Sequence, residues 1–105
     1  WAGLPVVTRL GNTFASRVSA SLLMAVGLPE LIANSMEEYE NIALKLATEP
    51  KRLQKIRRKL VVNRQVCALF NTKQYTKFLE SAFSKMWDCF QEGQKFKNIF
   101  IKDDL

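Results

Sequence analysis

The chain has 105 residues, 48% of them hydrophobic, and a net charge of +6. That is enough for one globular domain, too apolar for a disordered segment and small for a complete α/β enzyme. It contains no histidine, which removes the commonest general base and metal ligand and argues against a self-contained hydrolytic triad or zinc site.

The elements follow in chain order. Trp1-Ala2-Gly3-Leu4-Pro5-Val6-Val7-Thr8 is a small-residue turn, a proline and a β-branched run, which predicts a strand over residues 5–8. A glycine loop, Gly11-Asn12-Thr13, leads into a helix predicted from Phe14 to Val26, with Val18, Leu22 and Val26 as its apolar stripe. Turn, strand, loop and helix in that order make one βα unit of an α/β sheet, so the chain reads as starting inside a larger fold, at a strand with no clear partner. Gly27 is a natural stop in the left-handed position. Pro29–Ala33 is either a second strand or a helical turn.

Ser35-Met36-Glu37-Glu38 has the spacing of a capping box, with the Glu38 carboxylate reaching back to the Ser35 amide. Met36, Tyr39, Ile42, Ala43 and Leu46 then recur at helical spacing, and the early glutamates suit the helix dipole. Pro50 fits the first turn of the next helix. Leu53, Ile56 and Leu60 form its inner stripe, with Lys51, Arg52, Lys55, Arg58 and Lys59 outside. Residues 63–71 read as irregular. Asn71 or Thr72 caps a last helix that runs to about Gln91. Its stripe of Tyr75, Phe78, Leu79, Phe83, Met86, Trp87 and Phe90 reads as core. Gly93 ends it, and the tail from Gln94 to Leu105 carries no assignable pattern. The fold class is therefore α/β but helix-rich, with one or two short strands and about four helices.

Few motifs carry chemistry. Cys67 and Cys89 form neither a CxxC pair nor a disulfide framework, as for reduced thiols in a cytoplasmic protein, and in a nuclear one if eukaryotic. No apolar run approaches the ~20 residues that cross a bilayer. Nothing at the first residues has the order of a signal peptide. Lys51 to Leu79 holds nine Lys or Arg and no acid. The alternative function is a basic helical module that binds nucleic acid or an acidic protein; it would interleave stacking aromatics with such charges, but Lys51–Val66 has none, so a solvated helix face is expected. Gly11, Asn12 and Thr13 are the one loop with anion-site chemistry, because unpaired amides at a helix start receive phosphate or sugar oxygens.

Several ordered blocks carry a resemblance. Trp1-Ala2-Gly3-Leu4-Pro5-Val6-Val7-Thr8, Gly11-x-Thr13-x-Ala15-Ser16-Arg17-Val18-x-Ala20-Ser21 and Leu31-Ile32-Ala33 come first. Glu38-Tyr39-Glu40-x-Ile42-Ala43-x-Lys45-Leu46 follows, and then Leu69-Phe70-Asn71-Thr72-Lys73-Gln74-Tyr75-Thr76 with Leu79-Glu80 and Met86-Trp87. Up to Gly93 these resemble the C-terminal end of the catalytic region of the O-linked N-acetylglucosamine transferase family. The resemblance implies a GT-B architecture of two Rossmann-like lobes, with residues 1–105 as a single partial domain of the nucleotide-sugar-binding lobe and the helix at about 72–92 bridging the lobes. It implies transfer of N-acetylglucosamine from its uridine diphosphate donor to Ser or Thr of proteins, with tetratricopeptide repeats preceding the catalytic region.

In that family the donor's phosphates and ribose are held by a His-Thr-Thr-Gly-x-Asp stretch upstream of the Trp-Ala-Gly turn. No catalytic residue is therefore carried onto this chain, and no cofactor is expected to bind it alone. Gly11, Asn12 and Thr13 become the donor-proximal loop, where the family commonly has an acidic residue at the position of Asn12. Arg17 is expected in a salt bridge or as an anchor of that loop. The implied partners are protein acceptors and the nucleotide sugar, with no nucleic acid and no membrane, and self-association of the chain if its aromatic helix face is bare.

Overall fold

In a computed structural model, which describes residues 1–95 and 97–102, the chain forms four helices, two short 3-10 turns and two short strands among the described residues. It divides into two compact units, Trp1–Phe70 and Asn71–Leu105.

The first unit opens with β1 (Thr8–Arg9), α1 (Phe14–Ala25), a 3-10 turn (Pro29–Leu31) and β2 (Ile32–Ala33). The two strands pair in parallel, Thr8 with Ile32 and Arg9 with Ala33, and the Leu10 amide adds a bond to the Ala33 carbonyl at 2.8 Å. The strand expected over residues 5–8 is thus shorter, starts at Thr8 and does have a partner. Proline at position 5 offers no amide, and the pairing is only as long as β2, which is squeezed between a 3-10 turn and the start of the next helix. Pro29–Ala33, left open between strand and turn, is both in succession.

Helix α1 has a reciprocal cap that the sequence reading missed. The Thr13 hydroxyl accepts from the Ser16 amide, and the Ser16 hydroxyl accepts from the Thr13 amide. Serine does here what Glu or Gln does in the usual pattern. The buried stripe also differs from the expected one. Ala20, Leu23 and Val26 face the core, while Val18 and Leu22 are 37% and 48% exposed. The helix therefore packs along an i, i+3 row, not the i, i+4 row. Gly27 ends the helix at φ +75°.

Helix α2 (Met36–Thr48) is capped by Ser35, whose hydroxyl accepts from the Glu38 amide at 3.0 Å. The return bond of a capping box is displaced by one residue. Glu38 accepts from the Asn34 amide at 2.7 Å and from the Asn34 side chain, not from Ser35. Of its expected stripe only Leu46 is buried, Tyr39 and Ile42 are half-buried, and Met36 and Ala43 are exposed.

Helix α3 (Pro50–Val66) starts at Pro50 and buries Ile56 and Leu60, as its spacing predicts. It continues through residues 63–66, which had read as irregular because Asn63, Arg64 and Gln65 break the apolar period. A 3-10 turn (Ala68–Phe70) closes the unit. The core joins Leu23, Val26, Leu28, Leu31, Leu46, Ile56 and Leu60, and Leu28 and Leu31 are fully buried.

The second unit is built on α4 (Thr72–Gln91), capped by the Asn71 side chain, which accepts from the Gln74 amide at 3.1 Å. It ends at Gly93 with a bond from the Gln94 amide to the Cys89 carbonyl. No residue of α4 is buried. The aromatic stripe that read as core is instead exposed except at the half-buried Phe78, with Trp87 at 60% and Phe90 at 73%. In the tail Lys85 donates to the Phe100 carbonyl; Phe96 and residues 103–105 lie outside the described residues.

Candidate functional site

The candidate site is the loop joining β1 to α1. Two tight approaches shape it. The Gly11 amide donates to the Ser16 carbonyl at 3.3 Å, and a Cβ on Gly11 would stand 2.4 Å from the Ser16 hydroxyl. Only glycine lets the chain pass so close to the first turn of the helix. Arg17, one turn into α1, donates from Nη1 to the Gly11 carbonyl at 3.3 Å. Of its two expected roles, Arg17 takes the anchoring one.

The three predicted residues thus have different situations. Gly11 is half-buried and tied at both its amide and its carbonyl. Thr13 spends its hydroxyl on the helix cap. Asn12 stands exposed between them. The amides of Phe14 and Ala15, at the first two helical positions, have no helical acceptor ahead of them. Beside the loop lies an open groove of about 670 Å³ along α1, lined by Leu10, Phe14, Arg17, Val18, Ser21 and Ile32. The arrangement offers hydrogen-bond donors and one cation on an apolar wall, which suits the oxygens of an anion or a sugar. It contains no carboxylate, thiol or imidazole to move a proton.

Among the described residues no group of three or more His, Cys, Asp or Glu is placed to hold a metal ion. No helix there is long and apolar enough to cross a membrane. The basic residues Lys51, Arg52, Lys55, Arg58 and Lys59 are exposed on α3 as expected. Lys59 pairs with Glu30 at 2.7 Å. Partial burial pushes the Glu30 carboxyl up. The hydrogen bond from Lys59, the turn's own backbone and the charges of Lys59 and Lys55 outweigh this and hold it below its ordinary value.

Two residues that bear on the site were invisible in the sequence. Asn63 donates from Nδ2 to the Val26 carbonyl at 2.8 Å and to the Gly27 carbonyl at 3.4 Å. Arg64 donates from Nη1 to the Trp1 carbonyl at 2.6 Å, with its guanidinium 5.8 Å from the centre of the Trp1 ring. Phe70 meets the same ring edge-on at 5.3 Å. These contacts join residues more than 35 positions apart, and no local pattern announces them.

Comparison with known proteins finds a match over residues 1–79 to the family described as Glycosyl transferase family 41. The chain is 41% identical over 107 residues to a protein of Arabidopsis thaliana named probable UDP-N-acetylglucosamine–peptide N-acetylglucosaminyltransferase SEC. That alignment covers 100% of this chain, its tail included, and 11% of the relative. A UDP-N-acetylglucosamine–peptide N-acetylglucosaminyltransferase of Caenorhabditis elegans is 37% identical over 94% of this chain and 9% of its own length. A SPINDLY protein of Hordeum vulgare, with the same probable activity in its name, is 36% identical over 89% of this chain and 10% of its own. The chain therefore spans about a tenth of the length of these curated relatives.

Proposed function

The chain belongs to glycosyl transferase family 41, and on that premise we propose that it is the C-terminal part of the catalytic region of a protein O-N-acetylglucosaminyltransferase. The complete enzyme moves N-acetylglucosamine from UDP-N-acetylglucosamine to Ser or Thr hydroxyls of proteins, inside the cell, on a GT-B scaffold. The observation that carries this is the 41% identity, over the whole chain, to a relative whose name states that donor and a peptide acceptor.

In this reading the chain supplies support and donor-facing backbone, not the reacting groups. The Gly11–Thr13 loop faces the nucleotide sugar and offers it amides at the start of α1. The proton transfers and most of the phosphate binding belong to sequence outside these residues. The chain alone is then inactive.

A chimera tests the proposal. Residues 1–105 replace the corresponding segment of the complete Arabidopsis relative, and transfer of radiolabelled N-acetylglucosamine to an acceptor protein is measured. Retained transfer, dependent on UDP-N-acetylglucosamine, is expected. A chimera that folds, melts cooperatively and transfers nothing would contradict it.

A further inference from the structure

The loop that faces the donor in this reading follows a strand of only two residues, although α1 behind it is anchored in the core by Leu23 and Val26. β1 makes two residue pairings and one flanking hydrogen bond. Ahead of it, Leu4 and Val6 are exposed, and Pro5 has no amide to donate. Parallel ladders of this length are weak, because each bond's net contribution is small. A strand so held can slide along its neighbour. One residue of slip carries the following loop about 3.3 Å and turns every side chain to the other face.

The last turn of α3 adds a further restraint. Arg64 takes the Trp1 carbonyl at 2.6 Å and lies against the Trp1 ring, which Phe70 backs from its edge. Asn63, the preceding residue, takes the Val26 and Gly27 carbonyls at the far end of α1. Two consecutive side chains thus grip both ends of the Trp1–Gly27 segment, one before β1 and one after α1. The grip on Gly27 is close: a Cβ there would meet Asn63 Nδ2 at 2.7 Å. Arginine suits its half of the task, because a planar guanidinium bonds a carbonyl in its plane while its face covers a ring.

We propose that Asn63 and Arg64 are positioning residues for the Gly11–Thr13 loop, clamping the β1–α1 unit at both ends so that the loop is presented to the nucleotide sugar in one place. This rests on the function proposed above. The clamp touches no substrate. Its loss acts through the loop's position, and a contact made equally in the ground and transition states shows in KM and not in kcat.

The test uses the chimera with Arg64→Ala, Arg64→Lys and Asn63→Ala. The expected result for either alanine variant is a rise of about tenfold or more in the KM for UDP-N-acetylglucosamine, with kcat and the acceptor KM within about twofold. Arg64→Lys, which keeps the charge and a donor but not the plane, falls between. Amide exchange followed by mass spectrometry on the same proteins gives a readout independent of transfer. Faster exchange confined to residues 8–13 is expected, with α2 and α3 unchanged. A fall in kcat at constant donor KM, or exchange rising throughout the unit, would show a merely structural role and overturn the proposal; so would unchanged exchange at residues 8–13. If the parent chimera folds and transfers nothing, the function proposed above fails, and the exchange pattern still decides the clamp.

Discussion

Gly27 concentrates two constraints in one residue. Its φ of +75° lies where side chains are strained, and Asn63 Nδ2 occupies the space a Cβ would need. Gly27→Ala is expected to cost more than the ~1–2 kcal/mol of left-handed strain alone, because Asn63 must also release the Val26 carbonyl. Denaturant midpoints of Gly27→Ala, Asn63→Ala and the double variant check this. Non-additivity is the expected result, since the two changes break the same contact. The Glu30–Lys59 pair carries a smaller, pH-dependent effect. Glu30 has a lowered pKa in the fold. Its contribution is therefore full above the ordinary carboxylate pKa and is lost as pH falls through the lower, folded value. Both partners are more than a third exposed, so no more than about 1 kcal/mol is at stake. Melting curves of the wild type and Glu30→Gln should differ at neutral pH and converge in acid.

Among the elements, α3 takes the part its sequence suggests and α4 does not. The more hydrophobic stripe is that of α4, with seven large residues, yet none of its residues is buried, whereas the strongly basic α3 buries Ile56 and Leu60 in the core. Leu60→Ala is thus expected to destabilise the chain by about 2–5 kcal/mol, the usual range for a buried leucine. Trp87→Ala, at a 60% exposed residue, is expected to change it by less than about 1 kcal/mol. Thermal or urea unfolding of the two variants distinguishes them, and a larger loss at Trp87 would contradict the burial pattern. The same contrast explains what the sequence made legible. Periodicity located every helix and the inner stripe of α3, because a 3.6-residue repeat is local. Whether a stripe is covered depends on what lies opposite, and a stripe of aromatics looks alike either way. The stripe of α1 and the length of β1 were misread for the same reason, since both are decided by partners elsewhere in the chain.

For the whole molecule, the candidate loop was legible from its glycine and its place between strand and helix, while the clamp that holds it was not. Asn63 and Arg64 sit in a stretch that broke the helical pattern, and their partners lie 36 to 63 residues away. In the function proposed above, this chain supports a donor site that sequence beyond it completes. Calorimetric titration of UDP-N-acetylglucosamine into the 105-residue chain and into the chimera, side by side, tests it most directly. Binding to the chimera is expected, and none to the chain tighter than about 1 mM, roughly −4 kcal/mol. Binding to the chain alone as tight as to the chimera would contradict it, because the site would then lie within these residues.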